Sequence, residues 1–170
     1  QEMSRGLGDV YKRQGESQKI ANKLLKKNIM IDLSADFRLT NAKIYNKYYG
    51  IKHISLNNLK KSIYGLTEIN KKNLSKGKII ACPGCYPTSI LLPLLPLIKK
   101  NLVDFKNIVI DSKSGFSGAG RGVHKKFKNK NLYGSTSAYG IASHRHNAEI
   151  QQELSFIKKN IEFTFTPHIL

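Results

Sequence analysis

The stretch KIIACPGCYPTSILLPLLPLI, residues 78–98, decides how this chain folds. Lys78 to Ala81 is a short β-like run, Cys82-Pro83-Gly84 is a turn, and a long apolar segment from Ser89 to Ile98 continues as a helix expected over Tyr86 to Lys100. Cys85 therefore falls at the N-terminus of a helix, at the carboxyl end of a strand. There the helix dipole and unpaired N–H groups favour an anion, which lowers a thiol pKa and can hold an oxyanion if a carbonyl is attacked at sulfur. Free cysteines usually pack as small hydrophobes, and Cys82, on the strand end, suits that role. Cys82 and Cys85 also form a C-x-x-C pair, but the sequence has no second such pair to complete a zinc site. No metal is expected.

The segments around this turn alternate between strand and helix. Ser17–Asn28 carries an apolar stripe of Ile20, Ala21, Leu24 and Leu25, and 29–33 is a buried-strand pattern. Asn41 is placed to cap a helix through Tyr48, ended by Gly50. Thr67 is placed to cap another through Leu74, with Gly77 beyond it. A strand is expected at 105–111, a Gly/Ser/Lys loop at 112–130, a helix at 147–159 and a strand at 161–165. This alternation implies an α/β fold with an at least partly parallel sheet, whose sites form at the carboxyl ends of strands. The loops 34–40, 82–85 and 111–121 occupy such positions.

Two further segments carry chemistry. The loop DSKSGFSGAGR, 111–121, follows a strand, and Gly115, Gly118 and Gly120 let the backbone approach a phosphate or dinucleotide. Its spacing is neither G-x-G-x-x-G nor a Walker motif. In SHRHNAE, 143–149, His144 and His146 are two apart, so an extended backbone would point both to one side. Either could be the acid–base partner of Cys85, and a metal on the pair would need a third ligand from far away, for which His168 is a candidate. Arg145 suits a carboxylate or phosphate. Asp32, Asp36 and Arg38 read as a self-capping turn rather than as acid–base machinery.

Composition narrows the function class. The 170 residues carry a formal charge of +18, with 29 Lys and Arg against 11 Asp and Glu. The lysines are scattered in pairs such as Lys26-Lys27, Lys71-Lys72 and Lys158-Lys159, without aromatic–basic interleaving, so no nucleic-acid role is expected. A basic field can still speed capture of an anionic substrate. Leu91 to Ile98 is too short to span a bilayer and is broken by Pro93 and Pro96. No membrane role is expected, and two cysteines in no disulfide framework suit a reducing cytoplasm.

The stretches IDLSADFRL (31–39), YGLTEIN (64–70), IACPGCYPTS (80–89), SGFSGAGR (114–121), AYG (138–140), HRHNAEI (144–150) and FTPH (165–168) together resemble the N-acetyl-gamma-glutamyl-phosphate reductases, of the aspartate-semialdehyde-dehydrogenase-like superfamily. One departure is Asn147-Ala148, where that family commonly has Thr or Gln followed by Pro. The resemblance implies reductive dephosphorylation of N-acetyl-L-glutamyl 5-phosphate with NADP(H), by way of a Cys85 thioester, in arginine biosynthesis. It also implies His144, with His146 second, as acid–base. Ser114, Gly115, Ser117, Gly118, Ala119 and Gly120 are expected beside the cofactor, and Arg145 and Arg121 on the small acyl-phosphate substrate.

For the fold, the resemblance implies the C-terminal part of a dinucleotide-binding, Rossmann-like domain over 15–85, and part of an α+β catalytic/dimerisation domain over 86–170. A homo-oligomer follows for the full-length protein. The family's N-terminal Gly-rich dinucleotide turn has no counterpart here, so these residues alone are expected to bind NADPH weakly. Residues 1–14 fit neither domain; SRGLGDVYKRQ (4–14) resembles translated sequencing adapter. The rival readings are an aspartate-semialdehyde dehydrogenase, a Cys–His hydrolase or acyltransferase, and an inactive fragment or basic binding module.

Overall fold

A computed structural model describes residues 14–115, 118 and 134–170. The expectations for Ser117, Ala119, Gly120 and Arg121, and for the leader up to residue 13, lie outside the described residues.

The first layer is a parallel sheet of β1 (Met30–Asp32), β2 (Ser62–Tyr64) and β3 (Ile79–Ala81), in the order β1-β3-β2. Ile79 and Ala81 in the central strand are fully buried, as parallel strands covered on both faces require. Helix α1 (Glu16–Leu24) packs Ala21 into the cluster of Met30, Phe37, Leu59 and Ile79. Helix α2 (Ala42–Tyr49) starts where the Asn41 side chain accepts the N–H groups of Lys43 and Ile44, and stops at Gly50, whose φ of 68° is the left-handed conformation glycine adopts cheaply. A short helix, α3 (Leu56–Leu59), leads to β2, and α4 (Thr67–Leu74) leads from β2 toward β3.

Helix α5 (Cys85–Lys99) follows β3 after the three-residue turn Cys82-Pro83-Gly84, so the strand-turn-helix reading holds. Its Leu91, Leu95 and Ile98 meet Ile150 and Leu154 of α6 (His146–Ile157) in one core that also takes Tyr64, Leu66 and Phe165. Each such buried aliphatic side chain contributes about 1.5–3 kcal/mol over leaving it in water. Pro87 lies in the first turn, where N–H groups have no intrahelical partner to lose.

The second layer is a mixed sheet in the order β4-β6-β5: β4 (Ile108–Ser114) runs parallel to β6 (Phe163–Ile169), and β5 (Ser137–Ala138) runs antiparallel to it. Phe165, Pro167 and Ile169 are buried on one face, and Thr164, Thr166 and His168 alternate with them on the other. The parallel first sheet and mixed second sheet, with helices between their strands, agree with the α/β expectation. β4 starts at Ile108 rather than Phe105 and runs to Ser114, so the front of the expected 112–130 loop is strand. β6 runs to Ile169 because its pairing with β4 continues to Ser114.

Candidate active site

Cys85 is the first residue of α5 and is exposed; Cys82 is half-buried, and neither is in a disulfide. The turn between them is tied on every side. The Cys82 N–H donates to the Asp32 carbonyl at 2.8 Å, and the Cys82 carbonyl accepts from Arg38 Nε at 2.7 Å. The Gly84 N–H donates to Glu149 Oε1 at 2.8 Å. The thiol is thus presented by a fixed backbone, at the end of a helix where anions are favoured.

Glu149 is wholly buried. Its Oε1 also accepts the Tyr64 hydroxyl at 2.7 Å, and Arg38 Nη1 lies 3.5 Å from its Oε2. Burial pushes its carboxyl above the usual range, against the opposing pull of Arg38, the Gly84 N–H and the Tyr64 hydroxyl. Burial, with the Glu149 charge added, pushes the Tyr64 phenol up, which keeps it a donor.

The histidine segment is not extended. Arg145 has helical dihedrals, and α6 starts at His146. A turn brings the two rings together instead, with centroids 4.8 Å apart, and the His144 ring contacts Tyr86, Tyr139 and Phe165 edge-on. The His146 ring also meets Tyr86, the residue after the thiol, at 5.9 Å. A Cβ placed on Gly84 would come within 2.5 Å of His146 Nε2, so the ring lies against the turn itself.

Both imidazoles are held neutral. Burial, and then the Arg145 charge, lowers His144 to about 4. Burial, and then His144, Arg38 and Arg145, lowers His146 to about 3. His144 Nδ1 accepts the His146 backbone N–H at 3.2 Å, so neutral His144 carries its proton on Nε2. His146 Nδ1 is buried without a hydrogen-bond partner among the described residues. Tyr139 donates to the Tyr86 hydroxyl at 3.0 Å, and Tyr86 to the His168 carbonyl at 3.3 Å. Burial first, then Tyr86 and the Cys85 charge, pushes the Tyr139 phenol up.

The other expected residues have partners of their own or serve the frame. Arg145 is exposed, and its guanidinium sits over the Tyr49 ring at 5.6 Å. His168 Nδ1 is 2.7 Å from Asp111 Oδ1 on the second sheet, and the described residues hold no group of three metal ligands. Ser114 ends β4, and the Gly118 N–H closes a turn onto the Gly115 carbonyl at 2.9 Å. Asp32 accepts from Ser17, the Ser34 hydroxyl and the Ser34 N–H, while Asp36 accepts from Gly15, Gln18 and Tyr45. The self-capping reading of that loop therefore holds for Asp32, and Asp36 caps α1 as well. Arg38 departs from it, turning away to the cysteine turn.

Sequence reasoning passed over Glu149, Tyr64, Arg38 and Tyr139 as site residues. One signal was present: Glu149 follows His146 by three, which puts both on one side of a helix. A cavity of about 410 Å³ opens next to the site, walled by Arg38, Tyr64, Gln152 and Glu153, but neither Cys85 nor the histidines line it. Within the site, an exposed thiol on a helix N-terminus, N–H donors beside it and two neutral imidazoles can carry out nucleophilic acyl transfer.

Residues 85–170 match the semialdehyde dehydrogenase dimerisation domain, a span of just over half the chain. The chain is 45% identical over 152 residues to an N-acetyl-gamma-glutamyl-phosphate reductase of Lachnoclostridium phytofermentans, covering 86% of this chain and 43% of that protein. It is 45% identical over 161 residues to a probable chloroplastic N-acetyl-gamma-glutamyl-phosphate reductase of Arabidopsis thaliana, covering 92% and 39%. It is 49% identical over 146 residues to the Clostridium novyi reductase, covering 83% and 41%. The chain thus spans less than half the length of these relatives. No helix among the described residues is long and apolar enough to cross a membrane. The chain belongs to the family of the semialdehyde dehydrogenase dimerisation domain, and the resemblance read from its motifs is borne out.

Proposed function

We propose that this chain carries the catalytic centre of an N-acetyl-gamma-glutamyl-phosphate reductase, which converts N-acetyl-L-glutamyl 5-phosphate to the 5-semialdehyde. The observation that carries the reading is Cys85 on the first turn of α5, with the neutral His144 and His146 rings packed on the flanking Gly84 and Tyr86. It is supported by the reductases that resemble the chain over most of its length.

Cys85 acts as the thiolate. Its sulfur attacks the acyl carbon, a C–S bond forms, and the C–O bond to phosphorus breaks, with inorganic phosphate leaving with the electron pair. The N–H groups of the first turn of α5 face the negative charge that develops on the acyl oxygen. His144 is the first choice for the acid–base role. Its Nε2–H is the free donor of the ring, because Nδ1 is engaged by His146. His146 is the second choice. When the thiohemiacetal collapses, the C–S bond breaks and sulfur departs as the thiolate.

The residues at the end of β4 fit a nicotinamide cofactor in one respect. Gly115 and Gly118 close a turn without side chains, so a ligand can come close to its backbone. Ser114, Gly115 and Gly118 would hold NADP(H), with Ser117, Ala119 and Gly120; when bound, the cofactor supplies the hydride that reduces the acyl carbon. Arg145 and Arg121 are assigned to the substrate's anionic groups. Residues 15–85 are assigned to the nucleotide-binding domain and 86–170 to the catalytic and dimerisation domain of a cytoplasmic homo-oligomer.

The test is phosphate-dependent reduction of NADP by a full-length enzyme carrying these residues, with N-acetylglutamate semialdehyde and aspartate semialdehyde compared. Preference for the N-acetylated substrate and loss of turnover in Cys85→Ala are expected. Retained turnover in that variant overturns the thioester chemistry.

A further inference from the structure

We propose that Glu149 is a positioning residue, whose carboxylate fixes the Pro83-Gly84-Cys85 turn by accepting the Gly84 N–H and so sets where the Cys85 thiol stands. The relevance to turnover rests on the reductase reading; the positioning itself does not.

Three observations carry it. Gly84 is the N-cap of α5, and the helix supplies no partner for an N-cap N–H; Glu149 Oε1, at 2.8 Å, supplies it from 65 residues away. The carboxylate has nowhere to move. It is wholly buried, the Tyr64 hydroxyl holds the same oxygen at 2.7 Å, and Arg38 Nη1 faces the other at 3.5 Å. Arg38 closes the frame by donating from Nε to the Cys82 carbonyl at 2.7 Å and from Nη2 to the Leu33 carbonyl at 2.9 Å. The two ends of the turn are thus held by one ion pair, Arg38 at Cys82 and Glu149 at Gly84. The charged and titratable groups that face Glu149 are Arg38 from the loop after β1, Tyr64 from β2 and Tyr49 from α2, with Glu153 one turn further on α6.

A buried glutamate could instead serve only to neutralise Arg38. Two variants separate these roles. Glu149→Gln keeps the length and an acceptor oxygen but loses the charge. Glu149→Asp keeps the charge but falls one methylene short of Gly84. Hydrogen exchange at the Gly84 amide reads the bond directly, because no helical bond protects that amide.

Positioning predicts that Gly84 exchange stays slow in Glu149→Gln and rises at least about tenfold in Glu149→Asp, the loss expected for one hydrogen bond of about 1.4 kcal/mol. In a full-length enzyme carrying these residues, kcat falls further in Glu149→Asp than in Glu149→Gln, with KM within about twofold in both, as expected when the reacting group rather than binding is displaced. Slow Gly84 exchange in Glu149→Asp, or an Asp variant faster than the Gln variant, overturns the proposal. If wild type shows no reductase activity, the reductase reading falls, and exchange alone still decides the positioning role.

Discussion

Asp36 and Glu149 are both buried carboxylates set beside the carboxyl end of a strand, and they do different work. Asp36 accepts the N–H groups of Gly15 and Gln18 and the hydroxyl of Tyr45, and every partner belongs to the frame. Glu149 accepts the Gly84 N–H and the Tyr64 hydroxyl, and it leaves Oε2 to Arg38 without a hydrogen bond. The first is saturated by neutral donors and caps a helix. The second is an ion pair stretched across a turn that ends in a reactive thiol. Burial and hydrogen bonding alone do not mark a functional carboxylate; what its partners hold does.

The largest effect should fall on the saturated member. Asp36→Ala strands two backbone N–H groups and a hydroxyl in the interior, at about 1–3 kcal/mol each before relaxation, so a loss of about 4 kcal/mol is expected. Urea unfolding measures it. The folded fraction should keep its specific activity in a full-length enzyme. A specific activity that falls with stability would erase the contrast with Glu149.

Gly84→Ala tests the other member from the backbone side. Gly84 has φ −65° and ψ 158°, which alanine adopts without strain. The added Cβ would lie 2.5 Å from His146 Nε2 and 3.0 Å from Arg38 Nη1, so either the ring or the turn must move. Displacement on that scale costs about a hundredfold in turnover. Unfolding should change much less than in Asp36→Ala, and an unchanged kcat would show that the ring is not placed by this contact.

These contrasts mark what a linear reading reaches. The Cys85 turn, the Asn41 cap, the Gly50 stop and the histidine pair are local patterns, and each stands in the structure. Strand β2 escaped notice because Ser62-Ile63-Tyr64 lacks the run of adjacent aliphatic residues that marks the equally short β1 and β3, and β5 is two exposed residues paired only through β6. Arg38 and Glu149 sit in segments that read as a capping turn and a helix start. Their meeting spans 111 residues of chain, and nothing local announces it. The histidine rings converge although the extended backbone assumed for them is absent, because the turn from Gly140 to His146 does the same job with different dihedrals.

Glu153 sharpens the comparison by showing a buried carboxylate with too few partners. It accepts from Gln152 at 2.9 Å, and burial raises its carboxyl to about 7, with the Glu149 charge adding to the shift and Gln152 opposing it. A carboxyl raised from 4.5 binds a proton in the folded state before the unfolded one does. Its penalty is absent below pH 4.5 and develops fully as pH rises through about 7. Glu153→Gln should therefore stabilise the fold by about 1–3 kcal/mol at pH 8, and the gain should fade toward pH 4.5. Histidines 144 and 146 act the other way in acid, since both resist protonation when folded; taking the difference between variant and wild type cancels them. A gain independent of pH would mean that Gln152 already satisfies the charged form.

The smallest effect is expected at Tyr139, where frame and chemistry touch. Its hydroxyl donates to Tyr86 at 3.0 Å, and its ring meets His144 edge-on at 5.5 Å. Tyr139→Phe removes the hydrogen bond but keeps the ring, and Tyr86 retains its own donation to the His168 carbonyl. The loss should be about 1 kcal/mol of stability. Turnover should stay within about threefold, because the aromatic wall that keeps His144 neutral is intact. A loss beyond tenfold, with stability unchanged, would place the Tyr139 hydroxyl among the groups that meet the developing charge. The line drawn here between the saturated frame and the working turn would then have to move outward from Glu149 to include β5 and the residues that follow it.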